Sequence, residues 1–487
     1  MKSRILIYQL CFLILSMSVG IASETLNLET FISTVLERNP GVRRIIVQAS
    51  VAEGELRSSQ GIEDFFLNSD VSFAGSEPDQ ITGLEPDKYD NFGYKISLDK
   101  LNVKTGTRYG ISYNEQYTNR SPALVNIGSD YHSPSLTLRL TQPLLKNAKG
   151  ILDSLNMDIN ELDLNRIKLQ TEEELESYLT GLVNLYLNWY LSDRVLSISY
   201  EVYQHALEQE KVVKLKFERE IVEKYELLRI QEILEDYHAR WLQAKGEYEG
   251  LTRKIERQML LDSRDTYSPD DLSESRILNP DSRDIDYLRT SSRLKGILDN
   301  LAEQQDVLIR AKNNEQKAAV DLSLGYTRHG VNEDYYDAHI SSLENDDYFV
   351  ALKYSYPLGN REFSGNYMSQ LARQQYIKSD IKQKMIDAEA ALAYWMALEK
   401  QVYQALESVE RKIVLAQKKL EEEEHLYEIG QLNLFELIQD QPSQLQSRLD
   451  KERLFVGWLQ IKLNIGELLD LNLTSDNIKQ VVENNTL

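Results

Sequence analysis

The segment from Phe217 to Gln231 occurs twice in this chain, the second time from Tyr427 to Gln441. At an offset of 210, Phe217 and Tyr225 fall on Tyr427 and Phe435, and Glu218, Glu226, Leu227 and Gln231 fall on Glu428, Glu436, Leu437 and Gln441. Each copy sits where a long helical pattern stops, turns and starts back. The chain is therefore a tandem duplication, and these are its two tips. Its fold must be built twice.

The run into each tip is long. Leu144 to Phe217 is 74 residues and Leu358 to Tyr427 is 70, with no interior proline in either. A helix of that length spans roughly 100 Å. In the first, Leu175, Leu179, Leu182, Tyr186, Trp189, Leu196, Tyr200, Tyr203 and Leu207 recur near every 3.5 residues, the coiled-coil period. The return helices, about Lys224 to Leu260 and Asn433 to Leu471, are half as long. Val42 to Phe66 and Leu294 to Ala318 supply the missing height, so each long helix is expected beside two shorter ones placed end to end. Leu26 to Glu37 is a further amphipathic segment, stopped by Asn39-Pro40.

Between the helices the period changes to two. Val71 and Phe73, then Tyr109, Ile111 and Tyr113, then Leu136, Leu138 and Leu140 alternate with polar residues. The second copy shows two strands, Leu322/Leu324/Tyr326 and Tyr348/Val350/Leu352/Tyr354/Tyr356. The offset between copies falls from 252 before the strands to 214 after them, so copy one carries 38 extra residues, enough for one additional hairpin. That hairpin is assigned to about Asn91 to Tyr117, turning at Lys104-Thr105-Gly106. It either joins a barrel or forms an external flap.

Met1 to about Ser23 reads as a secretory signal peptide: Lys2 and Arg4, an apolar run from Ile5 to Val19, then Gly20-Ile21-Ala22. It contains the only cysteine, Cys11. Beyond it no segment approaches the roughly 18 apolar residues of a membrane helix, so entry into a bilayer must use strands. Two to four strands in copy one and two in copy two are too few to close a barrel of about eight or more. The long apolar stripes also need neighbours. Any barrel must be shared between subunits.

The fold class is therefore mainly α with a small β part: duplicated long helical hairpins forming an α-barrel tunnel, plus strands contributing to a shared transmembrane β-barrel. In order the chain reads as signal peptide (1–22), N-terminal and short tunnel helices (23–66), strands of copy one with the extra hairpin (67–142) and long hairpin one (143–260). A connector (261–286), a short tunnel helix (287–318), strands of copy two (319–357), long hairpin two (358–471) and a flexible tail (472–487) follow.

The order of the signal peptide, Asn39-Pro40, the strand ending Leu140-Thr141-Gln142-Pro143-Leu144, and the tip Tyr427-x-x-Gly430 followed by Glu436-Leu437-Ile438 resembles the TolC family of outer-membrane efflux and secretion ducts. The resemblance covers essentially the whole mature chain. It implies a homotrimer with a twelve-helix periplasmic tunnel under a twelve-strand barrel in outer-membrane lipid, exporting substrate from an inner-membrane pump bridged by a periplasmic adaptor. It leaves the substrate open between drugs, metals and proteins.

The family's tip narrows to an acidic ring of two aspartates in an Asp-x-x-Asp pattern beginning six residues after the tip glycine. Carried over, these positions are Glu436, which keeps its charge, and Gln439, which does not. Three Glu436 carboxylates would make a cation-selective ring; the other reading is a solvated tip-helix glutamate. Asp440 points some 100° away on a helix and substitutes only if the register shifts. The family's basic residue two positions past the glycine is Leu432 here, so a family-like salt-bridge lock is not expected. Phe217, Glu220 and Val222 in the first tip and Tyr427, Gly430 and Leu432 in the second are candidate adaptor contacts; for Gly430 turn formation is the alternative. Glu220 stands where Gly430 stands in the second copy, so the first turn must form without glycine. Pro442 lacks an amide hydrogen and should kink the return helix, as a hinge or a static bend. Glu421 to Glu424 reads either as a solvated face or as a cation-attracting mouth.

A net charge of −22 leaves no basic stripe for phosphates, so nucleic acid is not an expected partner. The six histidines (His132, His205, His238, His329, His339 and His425) show no metal-ligand spacing, and there is no phosphate loop or nucleophile elbow. No enzyme activity, metal or cofactor is expected. Tyr89, Tyr117, Tyr131 and Tyr348 at strand ends suit either an interfacial girdle or subunit packing. The rival function is a secreted coiled-coil structural or adhesive scaffold without a pore.

Overall fold

The computed structural model describes residues 24–77, 79, 88–121, 130–261, 267–272, 284–340, 344–429, 431–432 and 434–472, without the side chains of 424, 428 and 434–443. The signal peptide, Gly430 and most of the tail fall outside the described residues. Helices dominate, and the chain divides into two compact units. The first comprises Met1–Val47, Gln170–Lys295 and Met385–Leu487, and the second Gln48–Leu169 and Gly296–Lys384.

The described elements begin with β1 (Glu24–Leu26), α1 (Leu28–Arg38) and α2 (Pro40–Gln60). The strands β2 (Phe65–Ser76), β3 (Lys88–Asn102), β4 (Thr107–Ser121), β5 (Asp130–His132) and β6 (Ser135–Pro143) follow. Then come α3 (Leu155–Glu218), α4 (Lys224–Gln258), β7 (Tyr267–Pro269), α5 (Ile285–Thr290) and α6 (Arg293–Glu315). Copy two continues with β8 (Ala319–His329), α7 (Tyr335–Ile340), β9 (Asn345–Ser355), α8 (Arg361–Glu428) and α9 (Leu434–Leu468).

Two long helices stand before the two tips, α3 with 64 residues and α8 with 68. At 1.5 Å per residue each is about 100 Å long. The first starts later than the unbroken run from Leu144 suggests. Asn147, Lys149 and Gly150 all take positive φ, which ends any helix there. The Asn147 side chain holds the turn, accepting from Leu152 N at 2.8 Å and donating to Asp153 Oδ2 at 2.6 Å. Helix α2 likewise ends at Gln60, short of Phe66, because Phe65 already belongs to β2.

In the first unit, α1 ends at Asn39, whose Oδ1 accepts from Gly41 N at 2.9 Å while Pro40 opens α2. The Asn39 amide also donates to the Gln258 carbonyl at 3.0 Å, so the end of α4 abuts the start of α2. Copy two repeats the joint: Asp470, just past α9, accepts from Arg293 N at the start of α6 at 2.9 Å. The expected end-to-end placement of short helices holds at both joints.

Leu175, Leu179, Leu182, Tyr186 and Trp189 of α3 are buried with Phe31, Val35, Val42, Ile45, Ile46, Ile255 and Met259. Trp189 Nε1 donates to Thr252 Oγ1 at 2.8 Å, satisfying its one polar atom. Val183, Leu187 and Tyr190 pack on Val456, Trp458, Leu459 and Leu463 of α9, so this part of α3 buries two faces. Further along, Tyr203 stacks on Trp241 at 5.5 Å, while Ile198, Ala206 and Val213 rather than Leu196, Tyr200 and Leu207 become fully buried. Strands β1 and β7 pair in parallel, bringing the connector back to the N-terminus, and Tyr186 OH donates to Leu26 O at 2.6 Å beneath them.

The second unit contains one antiparallel sheet in the order β2-β3-β4-β6-β8-β9, with β5 on the outer end of β4. The extra hairpin runs from Lys88 to Ser121, longer than Asn91 to Tyr117, and turns at Val103–Gly106 with Gly106 at φ +72°. Its strands are full members of the sheet, inserted between β2 and β6, so the external flap is ruled out in this structure. The four strands per chain that a twelve-strand trimer implies become six long ones.

Candidate functional site: helical tips and strand face

The first tip closes with the hydrogen bonds that end helices in a left-handed residue. Ile221 N donates to Lys216 O and Glu220 N to Phe217 O, both at 2.9 Å, with Glu220 at φ +59°. Glu220 thus takes the left-handed conformation itself, at the position that Gly430 fills in copy two. In the second tip Gln431 N donates to Leu426 O at 2.9 Å, the same bond displaced by 210 residues. Leu432 N also reaches Leu426 O, at 3.2 Å.

Phe217, Val222, Tyr427 and Leu432 are half-buried and Glu220 is exposed. Tyr427 is already engaged, because the Lys216 ammonium lies 4.5 Å from its ring centroid and donates to its hydroxyl. The two tips therefore touch, a pairing that no local pattern in the sequence signals. Exposed apolar groups among the described residues here include Leu215 before the first tip, Ile221 within it, Tyr225 and Leu228 after it, and Ile429 in the second.

Positions 436, 439, 440 and 442 lie in α9, which is helical from Leu434, but their side chains fall outside the described ones. The helix is assigned without a break across Pro442. Of the acidic run, exposed Glu421 accepts from Gln417 at 3.1 Å, whereas Glu423, paired with Lys419 at 3.3 Å, is half-buried.

The first unit also holds a charge cluster that the sequence reading missed. Arg293 forms ion pairs with Glu176, with Asp470 at 3.3 Å and with Glu173 at 3.6 Å. Tyr287 OH donates to Asp470 at 2.9 Å. Burial, opposed by Arg293 and reinforced by Asp470, pushes the Glu173 carboxyl up to about 7. Glu173, Glu176 and Asp470 have metal-ligand proximity, but the guanidinium already supplies the countercharge.

The sheet carries the clearest functional signal. Its register aligns Leu67, Leu98, Ile111, Leu138, Tyr326 and Tyr348 in one row across all six strands. Two residues along each strand, the same face shows Phe65, Tyr109, Leu140, Leu324 and Val350, with Lys100 the one charged member. The opposite face aligns Asn68, Ser97, Ser112, Thr137, Thr327 and Asp347. One side is apolar and the other polar over the whole width. Towards the outer end Phe73, Phe92 and Tyr117 form an aromatic row on the apolar side. Tyr348 shares that side, whereas Tyr89 belongs to the polar face and to no apolar girdle. Phe349 is an apolar exception on the polar face, its ring lying where a side chain on Gly325 would be.

No protein-family model matches the sequence, and no curated protein matches it. Solved structures do match the backbone. The outer-membrane channel OprN matches with a TM-score of 0.68 at 13% identity, over 91% of this chain and 89% of that one. This is the fold of the TolC-family outer-membrane channels. The CmeC outer membrane channel of Campylobacter jejuni matches at 0.67 and 13% identity, over 94% and 89%. The outer membrane protein VceC of Vibrio cholerae matches at 0.66 and 13%, over 91% and 95%. The apolar strand face and the paired tips are the two features to which function must be assigned.

Proposed function

We propose that this chain is the outer-membrane exit duct of an export system. Copies associate about a common axis, as a homotrimer, with the strands in outer-membrane lipid and the helical hairpins in the periplasm. The tips meet a periplasmic adaptor that connects them to an inner-membrane pump. The carrying observation is the sheet: a predominantly apolar face across all six strands, backed by a polar one and ending on two free edges. Such a face suits lipid and such edges suit another strand.

In this reading Glu436 rings the narrow end, with Gln439 beside it and Asp440 facing away, and Pro442 sets the angle of the return helix. Ile221 and Ile429 join Phe217, Glu220, Val222, Tyr427, Gly430 and Leu432 as the adaptor-contacting set. The duct itself performs no chemistry; substrate choice lies with the pump.

Reconstitution into planar bilayers tests the proposal. Detergent-extracted protein should produce discrete ion-conducting steps with cation preference, and Glu436→Gln should weaken that preference. Extraction without detergent and no conductance would support the pore-free scaffold instead.

A further inference from the structure

We infer that the barrel formed by this chain has eighteen strands, six from each of three copies, closed by pairing β9 of one copy with β2 of the next. This rests on the trimeric duct reading and goes beyond it, because the resemblance alone implies twelve strands.

The extra hairpin cannot be lifted out of the sheet without unmaking it. Strand β2 pairs with β3 through twelve registered positions, from Phe65↔Lys100 to Ser76↔Tyr89, while β4 pairs with β6 from Arg108↔Thr141 to Asn114↔Ser135. Among the described residues β2 has no ladder to β6, so the hairpin is its only connection to the rest of the sheet. The turn of the hairpin is anchored too. Val103 is buried, and a Cβ on Gly150 would lie 1.5 Å from the Val103 carbonyl oxygen. A Cβ on Gly106 would in turn meet Asn147 O at 2.8 Å. Side chains complete the case: Ile96, Leu98, Tyr109 and Ile111 extend the apolar face across the hairpin, and Ser97 and Ser112 extend the polar one.

The two outer strands are built to meet. β2 has 12 residues and β9 has 11, and every residue of both is exposed in the single chain. Long unprotected edges with an apolar face invite another strand. Five successive antiparallel pairings make β9 run opposite to β2, so joining β9 to the β2 of a second copy continues the antiparallel pattern. Phe65, Leu67, Val71 and Phe73 on one edge and Tyr348, Val350, Leu352 and Tyr354 on the other carry the same face across the seam. With strands about 4.8 Å apart and tilted about 40°, eighteen strands give a backbone diameter of about 36 Å and twelve give about 24 Å. The exit would be about twice as large in cross-section.

Cryo-electron microscopy of the full chain in lipid nanodiscs, with native mass spectrometry to count chains, tests this. Three chains and eighteen strands are expected. Three chains and twelve strands would overturn the inference while leaving the duct; a particle without three chains or without a barrel would overturn the duct reading and the inference with it. A second measurement uses single cysteines carrying an environment-sensitive fluorophore in protein embedded in bilayers that contain a lipid-bound quencher. Leu98→Cys and Ile111→Cys should be quenched, and Ser97→Cys and Ser112→Cys should not. Loss of quenching at both hairpin positions would place the hairpin outside the bilayer and end the proposal.

Discussion

Leu138→Lys is the sharpest perturbation of the strand face. Leu138 lies on a central strand, flanked by Ile111 and Tyr326 in the continuous apolar row. A lysine there forfeits the burial of a leucine in lipid, about 1.5–3 kcal/mol, and places a charge that costs about 2–4 kcal/mol at the bilayer midplane. Part of this is recovered as the long side chain reaches toward the headgroups. A net loss of about 3 kcal/mol per chain is expected, and a three-chain barrel suffers it three times, about 9 kcal/mol in all. Ser112→Lys is the control, one strand away on the polar face, and should fall within about 0.5 kcal/mol of the parent. The assay is urea unfolding of protein folded into lipid vesicles, read by heat-modifiable gel mobility. Equal tolerance of the two lysines would refute the lipid assignment of this face, as would greater damage from Ser112→Lys.

Gly150→Ala should destabilise the chain by about 2 kcal/mol or more, because its φ of +65° and the Val103 carbonyl both oppose a side chain; a lowered urea midpoint checks this. Tyr427→Ala should cost about 0.5–1 kcal/mol of tip stability through the lost cation–π contact with Lys216. Export by cells carrying it should fall while the amount of assembled oligomer on a gel stays constant. Glu173 sets a pH dependence: its carboxyl is raised from 4.5 to about 7 in the folded chain, so the folded state holds the proton more tightly between those values. Stability should be fully present below about pH 4.5 and fall by up to about 3 kcal/mol as pH rises to 7. Urea midpoints measured across that range should slope downward, and Glu173→Gln should flatten the slope.

Much of this fold was legible because its signals are periodic. The duplication located both tips, and aligning Glu220 with Gly430 correctly marked the first turn as one made without glycine. Alternation by two assigned Leu136, Leu138 and Leu140 to one face, where the structure keeps them. The 38-residue excess in copy one revealed a hairpin, yet periodicity carries no information about which strand pairs with which. Its insertion between β2 and β6 was therefore hidden, and with it the true width of the sheet. The same limit concealed the Arg293 cluster, assembled from residues 173, 176, 293 and 470, and the contact of Lys216 with Tyr427. The start of α3 is not visible as a proline, because Asn147, Lys149 and Gly150 at positive φ break the run from Leu144.

That one chain cannot satisfy its own sheet is tested most directly by the mass of the particle released from membranes carrying the full-length protein. Three chains per particle, released only by detergent, is the expected result. A stable single chain, soluble in plain buffer with β2 and β9 left unpaired, would contradict it.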